Sequence, residues 1–359
     1  MRRRVATLAT AALTLALLAP VASVSAASTI SVHPGQSIQA AINKAPSGGL
    51  VVVERGTYRG NLEIKRSVRL VGHDAVIVPA AKPTPNICVT MLRAGTGVCV
   101  HGAVNAEGSV SKAVSNVSIE GFTVRNFSGT GILAVGVAGF RVARNVVAHN
   151  SLWGMYIATV SNLSLLYNRS YDNGADGVQV ARSPSSNAVI VGNASYGNHG
   201  TGILFLDSLG GRIALNDVHN NCAGIVVART GDPDASGGGN VAVQLNQVTA
   251  NNRVCAASSD LGTPAYGGVG IALIGAQDTV VAINDVRNNL AVAGSSFPDG
   301  GGILLLDGAM FGAAAPSGTS VRLNWLSGNT PNDIFGDGTG TGNTVSGNTC
   351  TTTNLAGAC

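Results

Sequence analysis

Short stretches in which apolar residues take every second position recur along most of the chain, and a glycine or an asparagine closes each of them. Phe140-Arg141-Val142-Ala143 and Val241-Ala242-Val243-Gln244 are two such stretches. That alternation predicts β-strands with one buried face. The polar residues between them fall into columns. Asparagine recurs at Asn145, Asn168, Asn193, Asn216, Asn246, Asn284 and Asn324, with spacings of 23, 25, 23, 30, 38 and 40, a base period near 23 with insertions in the later repeats. Gly121 holds the same column one repeat earlier. A second column follows at Asn126, Asn150, Asn173, Asn198, Asn221, Asn251, Asn289 and Asn329. A glycine then opens the next strand, at Gly131, Gly154, Gly177, Gly202, Gly224, Gly270 and Gly302.

A sustained period of this length predicts a solenoid. Asn and Gly tolerate left-handed backbone, so they are expected at sharp corners between strands. In stacked coils, identical Asn side chains would lie one above another and form amide ladders. Parallel strands joined by corners should coil right-handedly. The fold class expected is therefore all-β, a right-handed parallel β-helix. Propeller blades need four strands per repeat of about 40–45 residues, and leucine-rich repeats need a Leu framework that is absent here. Near the start, Ser37 should cap a short helix over residues 38–45, whose Ile38, Ala41 and Ile42 share one face. That amphipathic turn is expected to close the open apolar end of the solenoid.

Composition adds to this picture. With 48 glycines, 45% hydrophobic and 11% charged residues, the chain is too apolar for disorder and too rich in glycine for long helices. Arg2, Arg3 and Arg4, the apolar run from Val5 to Ala19 and the small residues Val24-Ser25-Ala26 read as a signal peptide over 1–26. The run is too short for a comfortable membrane span. A single β-helix domain over 27–359, secreted and extracellular, is the expected product. Without the leader, the formal charge of +4 falls to +1 (19 Lys and Arg against 18 Asp and Glu), which gives no footprint for nucleic acid or an anionic membrane. Six cysteines allow 15 connectivities. Proximity favours Cys88 with Cys99, Cys222 with Cys255, and Cys350 with Cys359. Export favours disulfides, and the CxxC spacing that zinc would call for is missing.

The run from Pro34 to Ile42 (Pro-Gly-Gln-Ser-Ile-Gln-Ala-Ala-Ile), followed by Gly56-Thr57-Tyr58, resembles the N-terminal start of the pectate-lyase-like right-handed β-helix superfamily. The later turns resemble its generic repeats. For function, that resemblance implies polysaccharide lyases, glycoside hydrolases and uronan epimerases, alongside non-catalytic members.

Aligning the repeats on the Gly-Ile strand brings out one column of chemical interest. Five residues after each glycine stand Gly136, Thr159, Arg182, Asp207, Arg229, Gly275 and Asp307. Arg182, Asp207 and Arg229 are thus expected on successive rungs about 4.8 Å apart. Tyr156 and Gln179 should face outward on neighbouring rungs, with Asp176 and His199 just before the same strand. Insertions at 230–239, 253–269, 290–301 and 308–319, and an excursion at 79–115, are expected to wall a groove across residues 154–229. Asp232-Pro233-Asp234 could supply oxygen ligands for Ca²⁺, or be a polar turn; no other cofactor is expected.

Three functions follow. The first is a lyase or epimerase on an acidic polysaccharide, with Arg182 and Arg229 neutralising the uronate carboxylate, Asp207 orienting them, Tyr156 or His199 moving the C5 proton, and Gln179 and Asp307 contacting substrate. The four lysines (Lys44, Lys65, Lys82, Lys112) all precede the groove, so a lysine base would have to come from the N-terminal coils. The second is a glycoside hydrolase using Asp176 and Asp207, whose carboxyls would need to lie about 5–9.5 Å apart. The third is a non-catalytic carbohydrate- or partner-binding solenoid, in which the Arg/Asp column is a structural ion-pair ladder. The apolar outward residues Leu133, Leu204, Val226 and Leu304 are unusual for a sugar groove. Either the inserted loops cover them, or the groove takes a less polar ligand.

Overall fold

The computed structural model describes residues 29–92, 94–105, 109–233, 235, 237–257, 264–296 and 300–359. The expected leader over 1–26 and Asp234 lie outside them. Three strands make up each coil of the trunk. In one coil they are Thr201–Leu206, Leu209–Ala214 and Asp217–His219; in the next, Ala223–Ala228, Gly239–Gln244 and Gln247–Thr249. Each strand pairs in parallel with its counterpart one coil on: Ile203 with Ile225, Ile213 with Val243, and Val218 with Val248. The alternation along the chain therefore becomes vertical columns. Ile203, Ile225, Ile271 and Ile303 stack inward and are fully buried. Each contributes about 1.5–3 kcal/mol by leaving water. The molecule is a parallel β-helix with one continuous core.

Its N-terminal end is closed by α1 (Ile38–Lys44), whose Ile38, Ala41 and Ile42 are buried. The Ser37 hydroxyl accepts the Ala40 N–H at 3.2 Å and satisfies one of the free donors of the first turn. A second short helix, α2 (Ile87–Leu92), rides on the excursion after the first coils. Disulfides join Cys88 to Cys99, Cys222 to Cys255 and Cys350 to Cys359, the three pairs nearest in sequence.

Both asparagine columns are hydrogen-bonded ladders inside the corners. Asn216 is typical: its Nδ2 donates to Asn246 Oδ1 and to the Ile190 carbonyl, each at 2.9 Å. Its Oδ1 accepts from the backbone N–H and the amide of Asn193. The reason for asparagine differs from the one the sequence suggested. In the first column the left-handed residue is the one before the asparagine: Arg144, Tyr167, Leu215, Leu245, Ile283 and Leu323 have φ between 53° and 58°. Asparagine is needed there for its amide, which can donate and accept at once, and not for its backbone freedom.

Candidate functional site

The Gly-Ile strands form the first face of the trunk. Their outward positions stack in register as Leu133, Tyr156, Gln179, Leu204, Val226, Ala272 and Leu304. Loops cover both ends of this row. At the N-terminal end, Cys88 with Ile87 and Leu92 of α2 packs on Leu133, Val135 and Ala158. At the C-terminal end, Tyr266 and Phe311, from the loops after Arg253 and Leu306, pack on Val226, Ala272 and Leu304. The apolar outward residues are apolar because they form two small secondary cores. Tyr156 and Gln179 lie between these covers, half-buried and 7% exposed respectively.

Arg182, Asp207 and Arg229 do occupy successive rungs. The Arg182 N–H bonds the Leu206 carbonyl at 3.1 Å, and the Asp207 N–H bonds the Ala228 carbonyl at 3.0 Å. This column is a corner: Gly136, Thr159, Arg182, Asp207 and Gly275 all have left-handed φ, between 47° and 68°. The expected ion-pair ladder is absent among the described residues, because Asp207 and Arg182 turn to different partners. Asp207 is buried, and its two carboxylate oxygens accept the N–H and the hydroxyl of Thr230, at 2.6 and 2.7 Å. Arg182 reaches over that contact to Asp232, with Nη2 2.5 Å from Oδ2. The two contacts clasp the 230–239 loop onto the corner. Asp207 therefore positions a loop; it does not orient the arginines. With its carboxylate bound to a guanidinium, Asp232 is poorly placed as a calcium ligand, and among the described residues no cluster of three or more His, Cys, Asp or Glu side chains could hold a metal. Asp307 caps the following turn by accepting the Ala309 N–H at 2.8 Å.

Around Tyr156 the surroundings are mixed. The Trp153 ring lies 5.0 Å from the Tyr156 ring, tilted by 54°. Burial raises the phenol's pKa, and the positive charge of Arg182 pulls it the other way. Neither the Tyr156 hydroxyl nor the Gln179 amide has a hydrogen-bond partner among the described residues.

Asp176 sits at the opposite corner of the same face. It is 8% exposed, and its Oδ1 accepts the Thr201 N–H at 2.6 Å. Desolvation pushes its carboxyl up to about 6, against the opposing hydrogen bonds from Thr201 and Trp153. The Tyr266 hydroxyl lies 3.5 Å from Thr201 Oγ1, and its phenol is raised by burial and by the Asp176 charge. Trp153 and Thr201 went unnoticed in the sequence although a signal existed. Both stand one residue before their glycine, in one column with Asp176.

Two expected pairings are not formed. Thr201 is the rung neighbour of Asp176, and Asp207 lies six extended residues beyond it, roughly 20 Å. The carboxyls of Asp176 and Asp207 are thus outside the range a glycosidase needs. His199 stands on an exposed corner beside Arg253, with Nε2 3.1 Å from Nη2. It is two coils and five strand positions from Tyr156, on the order of 15 Å or more. No single sugar could touch both.

Residues 93–248 match a family model described as the right handed beta helix region. The trunk is a right-handed β-helix. Solved structures agree. The A-module of mannuronan C-5 epimerase AlgE4 from Azotobacter vinelandii superposes with a TM-score of 0.55 at 18% identity, covering 89% of this chain and 93% of its own. The A-module of mannuronan C-5 epimerase AlgE6 from the same organism gives 0.55 at 20%, covering 89% and 91%. ORF18 of Geobacillus virus E2 gives 0.51 at 15%, covering 90% and 63%. At such identities the right-handed β-helix is what these proteins share with the chain. No curated protein matches it in sequence.

Proposed function

We propose that the chain is a secreted protein acting on an acidic polysaccharide by proton transfer at C5 of a uronate, as a lyase or an epimerase. The observation that carries this reading is the pairing of Tyr156 and Arg182. A phenol with no hydrogen bond among the described residues and a guanidinium close enough to shift its titration sit on adjacent coils, between the two loop covers. Arg182 is 62% exposed and would neutralise the uronate carboxylate, acidifying the C5 proton. Tyr156, as phenolate, would take that proton. Loss of the O4 leaving group, protonated by water as the C4–O4 bond breaks, then gives a C4=C5 double bond, while a proton delivered by water to the other face of C5 gives the epimer. Gln179, beside Tyr156, would hold the ring. Arg229 falls outside this group because it lines a separate apolar cavity. The two epimerase A-modules of the same fold agree in kind with the chemistry proposed.

Incubation with a panel of uronic-acid polysaccharides in D₂O tests both branches. Ultraviolet absorbance would report elimination, and deuterium at C5, seen by NMR, would report epimerisation. Signal that is lost in Tyr156→Phe and Arg182→Ala with folding intact supports the proposal; silence in both readouts across the panel defeats it. A binding solenoid is the second reading, favoured by the engagement of Arg182 with Asp232 and of Asp207 with Thr230. Retention on a polysaccharide affinity gel without turnover would select it.

A further inference from the structure

A cavity of about 170 Å³ lies between the first face and the loops that cover its C-terminal half. Leu204, Leu206, Val226, Ile274 and Phe311 give it apolar walls. It exists because the floor is cut away: Ala223, Ala228 and Ala272 are single methyls, on a face that carries Leu204, Val226 and Leu304 at neighbouring outward positions. Larger residues there would let the loops pack down without a gap. Its rim is polar at a few points only. Thr201 and Tyr266 bring two hydroxyls 3.5 Å apart, and Arg229 is the one charged residue of the lining among the described residues. No carboxylate pairs with Arg229 among the described residues, whereas its neighbour Thr230 is held by Asp207.

We propose that this cavity binds a small carboxylic acid built on one six-membered ring, aromatic or alicyclic, with the ring among the apolar walls and the carboxylate on Arg229. Size supports the ring: an apolar cavity of roughly 150 Å³ accommodates benzene. Charge supports the acid, because a guanidinium binds carboxylate through paired hydrogen bonds and is stronger for being partly desolvated. A sugar is a poor occupant, since its hydroxyls would meet leucine, valine and isoleucine. Tyr266 keeps its proton, so it and Thr201 can donate to a hydroxyl or carboxylate on the ring. The site is independent of the uronate chemistry proposed for Tyr156 and Arg182.

Isothermal titration of the full mature chain with benzoate, 4-hydroxybenzoate, cyclohexanecarboxylate, benzamide and acetate tests the proposal. The ring carboxylates should bind one to one with a Kd on the order of 0.1 mM. Benzamide should bind at least about tenfold more weakly, and acetate should give no heat, since one lacks the charge and the other the ring. Arg229→Met should bring benzoate to the benzamide level, and Ala272→Phe should abolish binding of both. If Ala272→Phe unfolds, diffusion of 4-bromobenzoate into crystals of the parent locates the site by the anomalous signal of bromine. No binding of any ring carboxylate at millimolar concentration, equal affinity for benzoate and benzamide, or bromine found elsewhere would each overturn it.

Discussion

Asp207 holds Thr230 with both of its carboxylate oxygens, one on the backbone N–H at 2.6 Å and the other on the hydroxyl at 2.7 Å. The acid is buried and its backbone is left-handed, at φ 48°. Two penalties therefore separate in substitutions. Asp207→Ala loses the charge-assisted bonds and keeps the strained corner, and should cost about 3 kcal/mol. Asp207→Gly loses the same bonds but relaxes the corner, so it should retain about 1 kcal/mol more. Urea unfolding of both variants measures the difference; equal midpoints would mean that the corner is unstrained.

Neighbouring residues of one corner should respond in opposite directions. Asn216 makes four ladder hydrogen bonds in the interior, and Asn216→Ala would leave a buried N–H of Asn193 without its acceptor. A loss of about 3–4 kcal/mol is expected. Leu215, one residue earlier, has φ 56° and is 58% exposed. Leu215→Asn should be neutral or stabilise by about 0.5–1 kcal/mol, because asparagine tolerates the left-handed region and little burial is lost. Thermal unfolding of the two variants side by side decides this.

The trunk was legible because its physics is periodic. A corner that must donate and accept at once selects asparagine each time it recurs, so Asn145 to Asn324 mark the coils without any structure. The same alignment placed Arg182, Asp207 and Arg229 on consecutive rungs, since rung neighbours follow from register alone. What those side chains touch did not follow. Asp232 and Thr230 come from an insertion outside the repeat, and nothing periodic says that it folds back over the corner. Cover by inserted loops was one of two readings that the apolar Leu133 and Val226 left open, and the structure selects it; which residues do the covering was hidden, because α2, Tyr266 and Phe311 sit in insertions. Of the column of Trp153, Asp176 and Thr201, only Asp176 stands out in the sequence; Trp153 and Thr201 carry no charge and join it only when the repeats are aligned on the residue before the glycine.

If Tyr156 is the proton acceptor, turnover must follow its ionisation. Burial raises the phenol above its ordinary value of 10. At neutral pH the reactive phenolate is then a small fraction, and it grows about tenfold for each pH step. The rate should climb from pH 7 to beyond pH 9 with a slope near one and no plateau. Arg182→Ala removes the charge that favours phenolate, so it should lower the rate at every pH in this range by about tenfold or more. Initial rates between pH 7 and 9.5, read as C5 deuterium incorporation for epimerisation or as ultraviolet absorbance for elimination, provide the profile; a bell centred near neutrality would point to a carboxylate or histidine instead of Tyr156.

Asp176 gives the fold itself a pH dependence whose sign can be worked out. Its carboxyl is pushed from 3.8 to about 6 by burial. Between those values the folded chain holds a proton that the unfolded chain has released. Stability contributed by this group is therefore present below about pH 4, falls as pH rises to about 6, and stays lower above that. The rise corresponds to roughly 3 kcal/mol, an upper figure because relaxation around a buried charge softens it. Asp176→Asn keeps a side-chain oxygen for the Thr201 N–H and removes the charge. The variant should match the parent near pH 4 and exceed it by about 1–3 kcal/mol at pH 7.5. Urea midpoints at the two pH values measure this. A variant weaker than the parent at pH 7.5 would show that the ionised carboxylate earns more from Thr201 and Trp153 than burial costs it, and would place the stability loss at acid pH instead.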